Sequence, residues 1–153
     1  TVSSVIFAAG SLPPDRVVAA PAGAALYRLG DAIELSGYEV ETSADQVRYR
    51  LYWKALKDGA EDFTLFAHLL DANGAQIGQG DGQPFNGDYP TSMWRAGEAF
   101  VEERSLALNT SVMPEKAALA LGLYRLADGS RLPIVDKTGA QLRADQLIIT
   151  VQP

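Results

Sequence analysis

The fold is decided by the stretch from Val47 to Leu56, which reads VRYRLYWKAL. From Val47 onward, Val, Tyr, Leu, Trp and Ala occupy every second position, and Arg, Arg, Tyr and Lys lie between them. Successive side chains of a β-strand point to opposite faces of the sheet. The alternation therefore predicts a strand with one buried and one solvated face, and it places Trp53 on the buried face.

A second strand signal follows a few residues later. Between Phe63 and Leu70 both faces are largely apolar, which predicts a strand in the interior of a sheet. Asn73-Gly74 comes directly afterwards, and this dipeptide favours the positive φ angles of a type I′ hairpin turn. We therefore expect a hairpin whose second strand runs from Ala75 to Gln79.

The pattern changes register once, before this region. Ile33 and Leu35 alternate in one register, whereas Tyr38 and Val40 alternate in the other. One extra residue in a strand produces such a slip, and glycine often marks the position. The sequence therefore predicts a β-bulge at Ser36-Gly37.

Further strands are predicted towards the C-terminus. The ranges Phe100 to Leu108 and Leu147 to Val151 have strand patterns. Proline cannot donate a hydrogen bond to a neighbouring strand, so Pro133 places the range Arg131 to Val135 at a sheet edge.

The range Pro114 to Leu126 carries two conflicting patterns. Good helix formers, the early proline and Gly129 beyond its end favour a helix. Leucine at every second position from Leu119 to Leu123 favours a strand, which is the interpretation we adopt. About eight or nine short strands separated by turns predict an all-β fold, an antiparallel β-sandwich of immunoglobulin-like or jelly-roll-like type.

Length and composition predict one domain. The chain has 153 residues, of which 47% are hydrophobic and 21% charged, and this is ordinary globular composition. We assign residues 24–153 to the sandwich and residues 1–23, rich in small and turn-forming residues, to an extended N-terminal arm. Because every apolar run is far shorter than a bilayer span, direct membrane insertion of this chain is not expected.

The charge balance excludes several classes of partner. Thirteen Lys and Arg residues against 19 Asp and Glu residues give a net charge of −6, without a basic run. Nucleic-acid binding needs basic patches, so no nucleic-acid partner is expected, and anionic membrane surfaces are disfavoured for the same reason. Cysteine is absent, which excludes disulfides, thiolate nucleophiles and cysteine-ligated metals.

The long connection between Gly80 and Glu98 is the candidate functional segment. Connections of this length without secondary structure are usually functional or disordered, and the aromatic residues here argue against disorder. Saccharides offer apolar C–H faces to aromatic rings and hydroxyls to carboxylates and amides. The candidate ligand-binding residues of those types are Gln79, Asp81, Phe85, Asp88, Tyr89 and Trp94.

Within this set we expect one side chain to be buried and others to face the solvent. Trp94 is predicted to be buried against the end of the sandwich, because an aromatic of this size stabilises a loop by burial alone. Tyr89 and the carboxylates of Asp81 and Asp88 are predicted to face outward beside it.

Catalysis and metal binding have weak signals. His68 is the only histidine, lies in the middle of a predicted strand and lacks a Gly-x-Ser-x-Gly elbow, so we interpret it as structural rather than catalytic. Zinc lacks its usual nitrogen and sulfur ligands. Asp81, Asn86 and Asp88 offer oxygens for calcium, but such residues are ordinary in turns. No metal and no cofactor are therefore predicted.

Several short motifs are spaced along the chain. They are Tyr52-Trp53-Lys54, Phe66-Ala67-His68-Leu69-Leu70-Asp71, Gln79-x-Asp81-x-x-Pro84, Tyr89-Pro90-Thr91-Ser92-x-Trp94-x-x-Gly97-Glu98, Gly122-Leu123-Tyr124 and Arg131-Leu132-Pro133. Together they resemble the C-terminal extracytoplasmic β-sandwich domains of bacterial multi-pass membrane glycosyltransferases of the dolichyl-phosphate-mannose type, and of proteins like them. The resemblance covers roughly residues 32–151 and implies an accessory domain that follows the membrane-embedded catalytic part. It implies no catalytic residues for this chain.

The predicted function is that of a non-catalytic extracytoplasmic accessory domain, attached to the membrane through a missing upstream region. Its candidate partners are an oligosaccharide or the membrane-embedded parent domain. Two alternatives stay open: a protein-interaction or spacing module without a ligand, and, less favoured, a glycoside hydrolase that uses loop carboxylates.

Overall fold

A computed structural model describes residues 26–110 and 113–151. The arm predicted for residues 1–23 lies outside the described residues. The described chain forms nine strands, and the long connection contains two short 3₁₀ turns. The strands are β1 (Tyr27–Leu29), β2 (Ile33–Thr42), β3 (Gln46–Ala55), β4 (Thr64–Asp71), β5 (Gln76–Gln79), β6 (Ala99–Ala107), β7 (Ala117–Tyr124), β8 (Ile134–Asp136) and β9 (Leu147–Val151).

The strands form two antiparallel sheets. Sheet A has the order β6-β3-β2-β1-β8, and sheet B has the order β5-β4-β7-β9. The predicted all-β sandwich is therefore confirmed. β4 lies in the interior of sheet B and β8 at an edge of sheet A, as the apolar run and Pro133 predicted.

The alternation in β3 produces the predicted faces. Val47, Tyr49, Leu51, Trp53 and Ala55 are all buried, with at most 2% of each exposed. Their neighbours point away from the core. β3 therefore supplies the centre of the core of sheet A, and Trp53 belongs to that core as predicted.

The two ambiguous segments also match their predictions. The pairing of β2 with β3 shifts between Leu35 and Gly37, which confirms the bulge and keeps residues on both sides of it directed towards the core. The segment with conflicting patterns forms strand β7, paired with β4 and β9. Packing of its alternating leucines against the facing sheet outweighs the helix propensity of its alanines.

The predicted type of the β4–β5 turn is wrong. The Gly74 N–H donates to the Asp71 carbonyl at 3.0 Å, so the central residues of the turn are Ala72 and Asn73. A type I′ turn needs a positive φ at both central residues, and here only Gly74, after them, has one, at 81°. The Asp71 carboxylate accepts hydrogen bonds from Asn73 and Ala75 N–H groups and holds this alternative turn.

Three alternate glycines close one side of the sandwich. Gly78, Gly80 and Gly82 face inward, towards β6 of the opposite sheet. A Cβ atom on Gly78 would lie 2.9 Å from both the Ala107 carbonyl oxygen and a Leu106 methyl group. Because these glycines have no side chains, the β5 edge of sheet B can approach the β6 edge of sheet A. Gln79 and Asp81 lie between the glycines and therefore point to the outer face.

This arrangement predicts a graded effect of alanine at the three glycines. Gly78→Ala should destabilise the fold by about 1 to 3 kcal/mol, because its new methyl meets backbone that cannot move away. Gly82→Ala is the matched control, since its methyl would meet only the end of the Arg104 side chain, at 3.1 Å. Urea unfolding measures both, and equal stability of the two variants would contradict the close approach.

Candidate functional site

The long connection between Gly80 and Glu98 packs onto the sandwich through its aromatic residues. Phe85, Tyr89 and Trp94 are 4%, 1% and 1% exposed. All three rings contact Phe100 of β6, with centroids 4.5 to 5.8 Å away, and Trp94 also packs on Trp53. The predicted burial of Trp94 is confirmed, and its indole N–H donates to the Tyr89 carbonyl at 2.9 Å.

The prediction that Tyr89 faces outward is wrong. Its ring lies between Phe85 and Phe100, and its hydroxyl donates to Glu98 at 2.5 Å. Burial, followed by the hydrogen bond to Glu98, raises the pKa of Tyr89. A loop has no period from which the direction of a side chain can be predicted, so its sequence does not reveal that Tyr89 turns inward and donates to the Glu98 carboxylate.

A buried acid on β6 ties this connection to sheet A. Glu102 is 3% exposed and accepts hydrogen bonds from the Trp53 indole N–H, at 3.1 Å, and from the Phe85 backbone N–H, at 2.8 Å. Arg104 pairs with Glu102 at 2.8 Å and donates to the carbonyl oxygens of Gly80 and Gln83. We call Glu102 and Arg104 the β6 clamp.

The far end of the connection is fixed by backbone contacts. Thr91 donates its hydroxyl to the Glu61 carbonyl at 2.6 Å and accepts the Phe63 N–H at 2.9 Å. The Gly59 N–H donates to the Trp94 carbonyl, and a Cβ on Gly59 would lie only 1.9 Å from the Thr91 carbonyl oxygen. The motif from Tyr89 to Trp94 is therefore a structural element of the sandwich.

This packing predicts that both aromatic truncations are costly. Trp94→Ala and Tyr89→Ala should each lower the free energy of unfolding by about 3 to 5 kcal/mol, as truncations of buried aromatics do. Tyr89→Phe is the control that keeps the ring, and it should cost about 1 kcal/mol through the lost hydrogen bond. Denaturant unfolding measures all three, and a Tyr89→Ala variant as stable as the parent would show that the ring is not part of the core.

A second prediction concerns Tyr49, which lies behind the clamp. Its buried hydroxyl lies near Arg104 but in no hydrogen bond of normal geometry, and burial raises the pKa of Tyr49 from 10.0 to about 12. Between these values the folded state holds a proton that the unfolded state has lost. The stabilisation contributed by Tyr49 is therefore fully present below pH 10, and the free energy of unfolding should fall as the pH rises from 10 to about 12.

Urea unfolding between pH 9 and pH 12 tests this dependence. Tyr49→Phe should flatten the decline, and adding Tyr89→Phe should flatten it further, because the pKa of Tyr89 is raised as well. An unchanged slope in the double variant would contradict the assignment.

On the outer face of sheet A, four central charged residues pair with one another. Glu103 accepts hydrogen bonds from Arg48, at 3.0 Å, and Arg50, at 3.1 Å. Glu39 accepts hydrogen bonds from Arg50 and, at 2.5 Å, from the Tyr52 hydroxyl. Charged and phenolic groups on this face are therefore already engaged with one another.

The outer face of sheet B differs, because its polar groups are only loosely engaged. Asp81 accepts the Ala67 N–H at 3.2 Å, and its other carboxylate oxygen is 3.4 Å from the Tyr124 hydroxyl. His68 Nε2 is 3.6 Å from Asp81, which is too long for a hydrogen bond. Gln79 is the cross-strand partner of His68. We call His68, Gln79, Asp81 and Tyr124 the Asp81 patch.

An aromatic ring and a guanidinium lie beside the Asp81 patch. Phe66 contacts the His68 ring at 5.3 Å and the Tyr124 ring at 6.3 Å. It covers Gly122, where a Cβ would lie 2.4 Å from the ring. The Arg131 guanidinium lies over the Phe66 ring, 4.2 Å from its centroid.

The structure thus divides the six predicted site residues. Gln79 and Asp81 lie together on the outer face of sheet B, whereas Phe85, Tyr89 and Trp94 belong to the core. No hydrogen bond or ion pair within the described ranges joins Asp88 to Gln79 or Asp81. Sequence reasoning missed three outer-face residues: His68, Tyr124 and Arg131.

Of the three missed residues, His68 had a signal in the sequence. His68 lies two positions from Phe66, so both point to the same face of one strand, opposite to the core positions. The pairing of β4 with β7, which brings Tyr124 to this face, is a long-range contact that a single sequence does not specify.

The side chains of the Asp81 patch supply both hydrogen-bond donors and acceptors. The Asp81 patch offers a carboxylate acceptor, an amide, an imidazole and a phenol, which together suit hydroxyl groups.

Over residues 26–110 and 113–151, no three His, Asp or Glu side chains are grouped so that they could hold a metal ion. In the same ranges no helix is long and apolar enough to cross a membrane.

Comparisons with known proteins support the fold. No family model matches the chain, and no curated protein matches it. Among solved structures, the chain is similar to the C-terminal domain of wzt, with a TM-score of 0.53 at 12% identity, covering 84% of this chain and 78% of that one. A structural genomics target, SoR45, matches with a TM-score of 0.38 at 14% identity over 83% and 86% of the two chains. At this level of identity, the first similarity shows a shared fold.

Proposed function

We propose that this chain is a non-catalytic accessory domain that binds carbohydrate through the outer face of sheet B. The observation that carries the proposal is the position of Asp81. The Ala67 N–H holds one oxygen of its carboxylate, and the second oxygen has, among the described residues, a single long contact, with Tyr124. A sugar hydroxyl that donates to this oxygen gains a charge-assisted hydrogen bond, the stronger kind.

The neighbouring groups suit the rest of a sugar ring. The Gln79 side chain accepts a hydrogen bond from Gln76 at 3.0 Å, which leaves its own NH₂ group for a ligand oxygen. His68 has about a quarter of its side chain exposed and lacks a close hydrogen bond to Asp81. These groups lie on paired strands, where a binding geometry is held more firmly than on a loop.

A role in a larger membrane-associated protein is the second part of the proposal. Its support is the set of sequence motifs that resemble C-terminal domains of membrane glycosyltransferases, together with a fold shared with another C-terminal domain. In this arrangement the domain lies on the extracytoplasmic side and holds a glycan near the membrane. Membrane-spanning segments encoded upstream in the gene, and a periplasmic signal from a topology reporter fused to the domain, are the expected findings.

The binding site is tested with a matched pair of variants. Asp81→Asn removes the charged acceptor and should weaken glycan binding about 10-fold to 100-fold, equivalent to about 1.5 to 3 kcal/mol for a hydrogen bond to a charged group. Asp88→Asn makes the same change on the same connection, away from the patch, and should bind like the parent. A glycan array identifies the ligand, and calorimetry then measures both variants.

Two results would contradict the proposal. One is an array on which no glycan binds, which would favour a protein-interaction or spacing module. The other is equal loss of affinity in both variants. Turnover of a glycoside substrate that Asp81→Asn abolishes would instead indicate the hydrolase alternative.

A further inference from the structure

Arg131 combines three properties on the outer face of sheet B. It is exposed, its guanidinium is stacked 4.2 Å from the Phe66 centroid, and it donates one N–H to the Ala144 carbonyl at 3.0 Å. Its only other hydrogen bond in the described ranges is a long one, 3.5 Å, to the Gln146 amide oxygen. The guanidinium is therefore held in one place while most of its five N–H donors stay unused.

No carboxylate lies within ion-pair distance of Arg131 among the described residues. The nearest turn carries Asp145, whose carboxylate instead accepts a hydrogen bond from Gln141 at 2.9 Å. A stacked guanidinium that has no acidic partner in residues 26–110 and 113–151 is a fixed positive charge there, in a chain whose net charge is −6.

The protein contains an internal comparison for this arrangement. Arg125 also stacks on a phenylalanine, with its guanidinium 5.5 Å from the Phe63 centroid. Its fork is filled by Glu61, which accepts two hydrogen bonds, at 2.8 and 3.1 Å. Arg131 is thus stacked on a ring as Arg125 is, but the described residues hold no carboxylate that pairs with it as Glu61 pairs with Arg125.

Arg131 and Asp81 lie on opposite sides of Phe66. Asp81 extends from the β5 side of β4, whereas Arg131 pairs with Tyr124 at the end of β7 and contacts Ala144 before β9. The Phe66 ring itself is only 2% exposed. A ligand that spans the surface above it would therefore meet a hydroxyl acceptor at Asp81 and an anion site at Arg131.

We propose that Arg131 is a specificity-determining residue for a sugar that carries a carboxylate, that is, a hexuronic acid unit of an acidic oligosaccharide. This inference rests on the proposed function of the same face. A planar carboxylate matches the guanidinium fork with two parallel hydrogen bonds, as Glu61 does on Arg125. The hydroxyls of the same glycan bind to the Asp81 patch.

The test compares acidic oligosaccharides with their methyl esters, which keep the ring and remove the charge. The probes are trimers of galacturonate, glucuronate, mannuronate and guluronate, each as free acid and as methyl ester, measured by calorimetry. At least one acid should bind 10-fold or more tightly than its ester. Affinity for the acid should fall with added salt, and affinity for the ester should not.

Three variants locate the effect. Arg131→Gln should remove the preference for the acid while leaving ester binding unchanged, which also shows that the site is intact. Arg131→Lys keeps the charge without the fork and should restore only part of the preference. Arg143→Gln removes an exposed arginine from the neighbouring turn and should behave like the parent.

Each contrary outcome has one meaning. Equal binding of acids and esters by the parent chain overturns the assignment of Arg131 and leaves the proposed function standing. Equal loss in Arg131→Gln and Arg143→Gln means general electrostatic attraction and also overturns it. Absence of binding to every probe and every glycan on the array overturns both proposals.

Discussion

The β6 clamp is the interaction on which the rest of this structure depends. Glu102 is buried in the sandwich, and a buried carboxylate is costly unless its partners are in place. Those partners come from three places: the indole of Trp53, the backbone of Phe85 and the guanidinium of Arg104. Phe85 even adopts a left-handed backbone, with φ of 56°, which a bulky side chain rarely does. Loss of Arg104 would leave the buried carboxylate without its opposite charge, and loss of Trp53 or of the Phe85 N–H would remove one of its hydrogen bonds. The clamp therefore holds the long connection in one conformation.

This constraint decides where ligand-binding groups lie. Because the clamp and the aromatic cluster draw the long connection into the core, its rings are unavailable to a ligand. The same packing brings the glycines at 78, 80 and 82 against β6, and it is tightest at Gly78, where a Cβ atom would lie 2.9 Å from backbone. The residues between them, Gln79 and Asp81, are consequently directed to the outer face, where they meet His68 and Tyr124. The candidate site is therefore a product of how the sandwich is closed.

Most of the fold was accessible from the sequence, because period-two patterns such as that of β3 report burial directly. The bulge in β2 and the edge position of β8 followed from a register slip and a proline. The hairpin turn after β4 was predicted wrongly, because an aspartate carboxylate that binds two N–H groups outweighs the preference of an Asn-Gly pair. For the site, the environments of Tyr89 and Arg131 could not be predicted. Tyr89 donates to the Glu98 carboxylate, and Arg131 stacks on the Phe66 ring of β4. Local sequence patterns do not encode such pairings.

The central claim is that a ligand binds the outer face of sheet B, including Asp81, and not the aromatic part of the long connection, residues 84–98. The most direct measurement is chemical-shift mapping of the ¹⁵N-labelled chain during titration with an oligosaccharide that binds it. The account predicts shifts at the Ala67 and Gln79 amides and at the Arg131 side chain, with the indole N–H signals of Trp53 and Trp94 unchanged, because both indoles donate to buried acceptors. Shifts centred on the Trp94 indole and the amides of residues 84–98, with Ala67 and Arg131 unaffected, would contradict it.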